Sequence, residues 1–231
     1  MRKGDETKQE ILQVSERLFC SKGYDETSIQ NILDVIHGSK GGFYHHFVSK
    51  EDVLRTICQR RAEAAAERAG KAAAETADPL KRLVLVLSRF LPFQREDLSF
   101  MCMLMPILDR TESAFVRVCY QDALAEAFLP LLREAESACR AADITRPVVL
   151  EPYGPVLTLL NACWYEAARL FVRDARSGVK TDPAQLLSLM DTARRCIEAL
   201  LDAPFGSIAL LPLETWYAFA EEAGSRMKFG S

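Results

Sequence analysis

The sequence lacks an apolar run long enough to cross a membrane. No stretch approaches the roughly 20 uninterrupted apolar residues that a spanning helix needs. Residues 1–6 contain no apolar core, so a secretory signal is not expected at this start. Together these two absences predict a cytoplasmic protein without a membrane partner.

Paired and clustered cysteines are also missing. The chain has seven cysteines, an odd number at wide spacing, and no Cys-x-x-Cys occurs. This pattern does not fit a disulfide framework or a zinc knuckle. We therefore expect the cysteines to be small buried apolar side chains rather than redox sensors or metal ligands.

The chain has no general excess of positive charge, since its formal net charge is -3. A protein that binds a polyanion would then need a local basic patch. One segment offers it: no acidic residue lies between Asp34 and Glu51, whereas Lys40 and Lys50 are basic. The same segment holds all three histidines of the chain: His37, His45 and His46.

Helical periodicity dominates and no strand pattern is found, so the fold class is predicted to be all-α. Near the start, a helix through Phe19 ends at Gly23, and Thr27 with Gln30 forms a capping box for a second helix. His37 and Gly38 make a turn. Further start signals are Ser39 for a third helix and Ser49 with Asp52 for a fourth.

The rest of the chain is predicted as longer helices. An alanine-rich run from Ala62 to about Ala74 suggests a stiff connector. Pro92 and Pro106 bracket a methionine-rich segment. The predicted helices are Asp78-Pro79 to about Leu91, about Glu112 to Ala141 with a bend at Pro130, about 155–176, about 183–202, and a short one with Leu213, Trp216, Tyr217 and Ala220 on one face.

The two short helices before Ser49 have the layout of a helix-turn-helix, which places a recognition helix in the DNA major groove. Helix starts bind phosphate through free backbone amides, and glycines let the backbone approach base edges. Phe43 fits either a core residue or a base contact, while Phe47 is expected in the core. The predicted DNA-binding residues are Thr27, Ser28, Ser39, Lys40, Gly41, Gly42, Phe43, Tyr44, His45 and Lys50.

The chain resembles the tetracycline-repressor (TetR) family of bacterial transcription regulators over about residues 8–54. The resemblance rests on Gly23-Tyr24, Thr27-Ser28-Ile29, Ser39-Lys40-Gly41, Phe43-Tyr44-His45-His46-Phe47 and Ser49-Lys50-Glu51. The family has glycine and then a small apolar residue in the turn, where this chain has His37 and Gly38. Either the histidine adopts a left-handed backbone or the turn is shifted by one residue.

The resemblance implies three parts: residues 1–54 as a DNA-binding head with a connector running to about 75, residues 76–203 as a helical ligand-binding and dimerisation domain, and residues 204–231 as a C-terminal extension. It further implies a homodimer that pairs through its last two long helices, binds a palindromic double-stranded operator, represses transcription and is released by a small ligand. A mostly apolar ligand is expected. The candidate residues are Phe90, Met101, Met103, Met105, Phe115, Tyr120, Asn161 and Trp164.

Two other functions stay open. A constitutive DNA-binding protein without a ligand would need a packed body with no pocket. A helical enzyme would need a catalytic constellation, and we predict no catalytic residue, no cofactor and no metal site, because all three histidines lie in the head and no nucleophile motif accompanies them.

Overall fold

The computed structural model describes residues 3–108 and 114–226. Every regular element in these two ranges is helical, as predicted. The elements are α1 (Lys3–Lys22), α2 (Ile29–Ile36), α3 (Lys40–His46), α4 (Lys50–Ala74), α5 (Pro79–Phe90), a 3-10 turn (Arg95–Asp97), α6 (Leu98–Leu108), α7 (Ala114–Ala141), α8 (Tyr153–Arg176), α9 (Pro183–Leu201) and α10 (Leu213–Arg226).

Local signals explain where several helices begin. Asp78 and Asp182 accept hydrogen bonds from the first amides of α5 and α9, and a proline follows each of them. Ser49 caps α4 by accepting from the amide of Asp52. Glu112, the predicted start of the long helix, lies outside the described residues. Pro106 and Pro130 lie inside α6 and α7, and the methionine-rich segment around Met101–Met105 is part of the helix α6.

The capping box predicted at Thr27 and Gln30 is wrong by one residue. Ser28 is the N-cap of α2, its hydroxyl accepts from the amide of Asn31 at 3.1 Å, and the Asn31 side chain accepts from the Ser28 amide. Thr27 is fully buried, and its hydroxyl donates to the Gly23 carbonyl at 2.7 Å. Serine and threonine are both good caps, so neighbouring positions could not be separated by type alone.

The helix α4 is more than a connector. It packs along α7 and α5, and its alanines at 62, 65, 66 and 69 are buried in that contact. Arg55 lies over the ring of Phe115, and Gly70 faces Leu131. Both helices therefore run in the same direction away from the head. The alanines serve close helix packing as well as helix propensity.

The helices α8 and α9 pack on each other, and α8 also contacts α7 and α6. Leu160 and Ile197 are buried inside this single chain, so they serve its own core. The C-terminal α10 packs on α6. Its buried face is Trp216, Phe219 and Ala223; Tyr217, predicted on that face, is exposed.

The end of α7 is joined to α8 by a loop that is fixed at both ends. The fully buried carboxylate of Glu136 accepts hydrogen bonds from Thr145 and from Tyr153, each at 3.1 Å. Arg140 also pairs with Glu136. In the described ranges, no helix has the length and apolar character needed to cross a membrane.

Candidate nucleic-acid interface

The turn between α2 and α3 resolves the alternatives left open by the sequence. His37 itself takes the left-handed conformation, with φ 50°, and its amide donates to the Leu33 carbonyl. Gly38 is not in that region, but a Cβ there would lie 3.0 Å from Ile36 side-chain atoms. His37 thus needs a left-handed backbone conformation, whereas position 38 needs a small residue.

The inner face of α3 anchors it to the head. Phe43 and Phe47 are almost completely buried, with ring centroids 6.0 Å apart. This follows from their four-residue spacing, which places both on one helix face. Phe43 is therefore a core residue, and the prediction that it contacts DNA is corrected by its burial.

The outer face of α3 is free for a partner. Lys40, Gly41 and His45 are exposed, and Tyr44 is 54% exposed although its ring still touches that of Phe43. Ser39 caps the helix by accepting from the Gly42 amide at 3.1 Å. The first turn of α3 contains no acidic residue. This face can offer a lysine, a phenol, an imidazole and bare backbone to a groove.

The fold does not require glycine at position 41. Gly41 has a helical rather than left-handed backbone, and a Cβ there would meet no atom within 4 Å. A Cβ on Gly42 would meet only the Ser39 hydroxyl, at 3.4 Å. Glycine lowers helix stability by about 1 kcal/mol relative to alanine, and packing within the chain does not offset this cost here. A physical reason for these glycines is that they let an external partner approach the backbone closely.

The start of α2 also faces outward. Ser28 is exposed, and no acid lies in the first turn. Thr27, in contrast, is buried and its hydroxyl donates to the Gly23 carbonyl, so its side chain does not lie on this outer surface. One residue missed from the sequence is Lys22, whose ammonium donates to Asn31 at 3.0 Å and so brings positive charge beside Ser28. Only the return of the chain at Gly23 makes these residues neighbours.

Lys50 has a structural partner in addition to its predicted role. Its ammonium donates to the Tyr24 carbonyl at 2.9 Å and lies 4.1 Å from the centroid of the Tyr24 ring. Burial first and then Glu51 raise the pKa of Tyr24 well above its ordinary value. Lys50 therefore also ties α4 to the loop before α2.

The start of α4 differs from the starts of α2 and α3. It carries Glu51 and Asp52, and Asp52 accepts from the Val48 amide at 3.1 Å. A backbone hydrogen bond at the helix start, and then Ser49, lower the pKa of Glu51. These carboxylates partly neutralise the positive end of the helix. The first turns of α2 and α3 carry no carboxylate, so the positive ends of these two helices are not offset in this way.

In the body, seven of the eight candidate ligand residues lie at or near the core, and Phe115 does not. The Tyr120 ring centroid is 5.1 Å from that of Phe100 and 5.6 Å from that of Trp164. Trp164 donates to Asn161 at 2.8 Å. Phe115 is 41% exposed under Arg55. The remaining candidates, all buried, are Phe90, Met101, Met103 and Met105.

Charged groups also lie beside this aromatic cluster, which the sequence pattern did not reveal. Asp97 is 4% exposed and accepts from Arg68 at 2.7 Å. Burial raises the pKa of Asp97, and Arg68 opposes that shift. The two residues are 29 positions apart, so only the packing of the 3-10 turn against α4 brings them together. A separate surface cleft of about 150 Å³ lies between α4, α5 and α7, with Arg82 and Glu134 among its lining residues.

Comparison with known proteins identifies the head. Residues 11–57 match the sequence profile of the bacterial regulatory proteins of the tetR family. The helix-turn-helix-type transcriptional regulator YerO of Bacillus subtilis is 46% identical over 55 residues, which are 24% of this chain and 19% of YerO. Over this segment, the chain is similar to the DNA-binding part of the TetR family.

Two further similarities extend this result. The transcriptional repressor AcnR of Corynebacterium diphtheriae is 30% identical over 60 residues, covering 26% of this chain and 32% of AcnR. The crystal structure of the transcriptional regulator FadR from Bacillus subtilis in complex with stearoyl-CoA aligns with a TM-score of 0.55 and 16% identity, over 87% of this chain and 99% of that one. The chain thus aligns with less than a third of YerO and of AcnR, and its likeness to FadR is one of fold.

Proposed function

We propose that the protein is a ligand-responsive transcriptional regulator of the cytoplasm. In this proposal it binds a palindromic operator as a homodimer and represses transcription until a small molecule releases it. The observation that carries the proposal is the α3 helix, whose buried phenylalanines fix it to the head while its acid-free outer face stays exposed. Repression is supported by the similarity to the head of the repressor AcnR.

Eight predicted residues with positions at the surface form the proposed DNA contact, and Lys22 joins them. Contacts to phosphates from helix starts and lysines would set the register, while α3 reads base edges. The serines at the two helix starts and Lys40 are suited to phosphates, whereas bare backbone and the Tyr44 ring are suited to the groove. The set is Lys22, Ser28, Ser39, Lys40, Gly41, Gly42, Tyr44, His45 and Lys50.

The proposed homodimer uses the exposed faces of α8 and α9 rather than Leu160 and Ile197. Those faces carry small side chains that would let a second helix pair approach closely, together with the exposed Leu187, Arg169 and Arg195. Pairing through them would join two heads and link the binding of two half-sites. The exposed small residues include Thr158, Ala162, Thr192, Cys196 and Ala199.

The proposed ligand site is the aromatic and methionine cluster around Tyr120. The crystal structure of FadR, which shares the fold, is of its complex with stearoyl-CoA. A helical protein of this fold can therefore hold a small molecule. Here the rings of Phe100, Tyr120 and Trp164 contact one another edge to face, so a ligand must separate them. Because the Asp97–Arg68 pair lies beside Tyr120, we propose a mainly apolar ligand with one polar group.

A constitutive DNA-binding protein is the second candidate function, and the close ring packing favours it. The two candidates differ in one measurement: a compound library screened by thermal shift against the purified protein and against Trp164→Ala. A ligand-responsive regulator should be stabilised by at least one compound that also weakens DNA binding.

Operator selection tests the DNA-binding part. Genomic fragments enriched by the purified protein should contain a palindrome whose half-sites lie about one helical turn, or a multiple of it, apart. Lys40→Ala should enrich far less of it, whereas Lys81→Ala, an exposed lysine on α5, should behave like the wild type. Equal enrichment of all fragments would contradict the proposal.

A further inference from the structure

Arg61 of α4 lies where the head meets the helices that follow it. Helix α6 packs on α1 as well as on α7 and α8. The Arg61 guanidinium pairs with Glu16 on α1 and lies 5.8 Å from the ring centroid of Phe100 on α6. That distance is within the range at which an aromatic face attracts a cation. One side chain therefore contacts a carboxylate of the head and a ring of the body at the same time.

The contact between Arg61 and α1 is largely covered from solvent. The side chains of Arg61 and Glu16 are 33% and 26% exposed. The neighbouring Arg60 donates to Gln9 on α1 at 2.7 Å, about two helical turns before Glu16. Breaking a covered ion pair from one side is costly, because the remaining charge loses its partner. A displacement of Arg61 therefore acts on α1.

On its other side, Arg61 faces the proposed ligand site. The Phe100 ring is buried and lies 5.1 Å from the Tyr120 ring, edge to face. Asp97, three residues before Phe100, is held by Arg68, which lies about two turns after Arg61 on α4. The start of α6 is thus fixed to α4. A ligand that separates Phe100 from Tyr120 consequently moves the Phe100 ring relative to Arg61.

The first half of α1 contacts α3, the helix that carries the proposed DNA contact. The Lys8 ammonium lies 5.6 Å from the ring centroid of Phe47, the C-cap residue of α3. A Cβ on Gly4 would lie 3.9 Å from the His46 imidazole. Helix α1 also packs on α2. A movement of α1 therefore reaches α3 through direct contacts.

We propose that Arg61 is a positioning residue that couples the aromatic cluster around Tyr120 to the DNA-binding head. Separation of the Phe100 and Tyr120 rings displaces Arg61, and Glu16 carries that displacement to α1 and so to α3. This inference rests on the proposed function, because it names the residue through which the proposed ligand site acts on DNA binding. Arg61 is not part of the proposed DNA contact, so its action there is indirect.

The operator affinity of variants, measured without a ligand, tests the proposal. Phe100→Leu removes the ring beside Arg61 and should raise the dissociation constant for the enriched operator at least about threefold. Phe93→Leu is the matched control, since Phe93 is equally buried but contacts Trp216 and Phe219. Both changes should lower the melting temperature, whereas Phe93→Leu should leave operator affinity unchanged at a temperature at which all variants are folded.

A double-mutant cycle tests Arg61 itself. Arg61→Gln should weaken operator binding, and adding Phe100→Leu to it should cause no further loss. In Arg60→Gln, which removes the same charge from the neighbouring position, Phe100→Leu should keep its full effect. Phe100→Met replaces Phe100→Leu in the cycle if the leucine variant does not fold.

Two results would overturn the coupling role and leave the proposed function standing. They are additive losses of affinity from Arg61→Gln and the Phe100 substitution, and an equal loss of affinity in Phe93→Leu. A wild type that enriches no operator would overturn both the coupling role and the proposed function.

Discussion

Small residues have different roles in the head and in the helical part of the protein that follows it, which we call the body. In the head, a glycine on α3 borders open space, and small polar residues cap short helices whose outer faces remain free. In the body, Gly70 and the alanines of α4 lie against α7 and let the two helices approach closely. Sequence composition alone treats these positions alike. The comparison shows that a small residue is a sign of function only where the fold leaves it uncovered.

The largest loss of stability is expected when one of the buried phenylalanines of α3 is removed. Phe47→Ala should destabilise the protein by about 3–5 kcal/mol, because it removes a fully buried ring, and operator binding should be lost with it. Tyr44→Ala is the control on the outer face of the same helix: it should leave stability within about 0.5 kcal/mol and still weaken DNA binding. Chemical denaturation and operator titration measure both quantities. Equal destabilisation by the two changes would contradict the division of α3 into two faces.

The next effect separates the two lysines of the head. Lys40→Ala and Lys50→Ala should each weaken binding to all DNA sequences and reduce the salt slope by roughly one unit for one phosphate contact. Lys50→Ala should also lower the melting temperature, since it removes the hydrogen bond to Tyr24. Lys40→Ala should not. A wild-type salt slope in Lys50→Ala would remove Lys50 from the proposed phosphate contacts and leave it with a structural role.

The two glycines sharpen the comparison directly. Gly41→Ala should stabilise the protein by up to about 1 kcal/mol, because a Cβ has open space and alanine favours helix. The same substitution should weaken operator binding by blocking close approach. Gly70→Ala should bring no such gain, since its Cβ would lie 3.2 Å from Leu131. A Gly41→Ala protein with both higher stability and full affinity would show that DNA does not approach the backbone there.

The smallest effect concerns the turn. His37→Gly should stabilise the protein by about 0.5–1 kcal/mol: glycine removes the cost of the left-handed backbone, and its greater freedom in the unfolded chain offsets part of the gain. Gly38→Ala should act in the opposite sense, because Ile36 and Leu33 leave little room for a methyl group. Melting curves of both variants test this assignment. The reverse order of stabilities would mean that the His37 backbone is not strained and that position 38 has room for a methyl group.

The sequence by itself determined the all-helical class, most helix starts and the helix-turn-helix, because caps, turns and apolar periodicity act over three to four residues. It also determined that Phe43 and Phe47 share a face and that Phe47 lies in the core, although it left open whether Phe43 does. Tertiary structure decided what depends on distant segments: the burial of Thr27, the meeting of Lys22 with Asn31, the Asp97–Arg68 pair and the exposure of Val148, Leu150 and Phe205. Short-range hydrogen bonds depend on the types of neighbouring residues and can be predicted from them. The burial of a side chain depends on which helices pack over it, and a single sequence does not determine that packing.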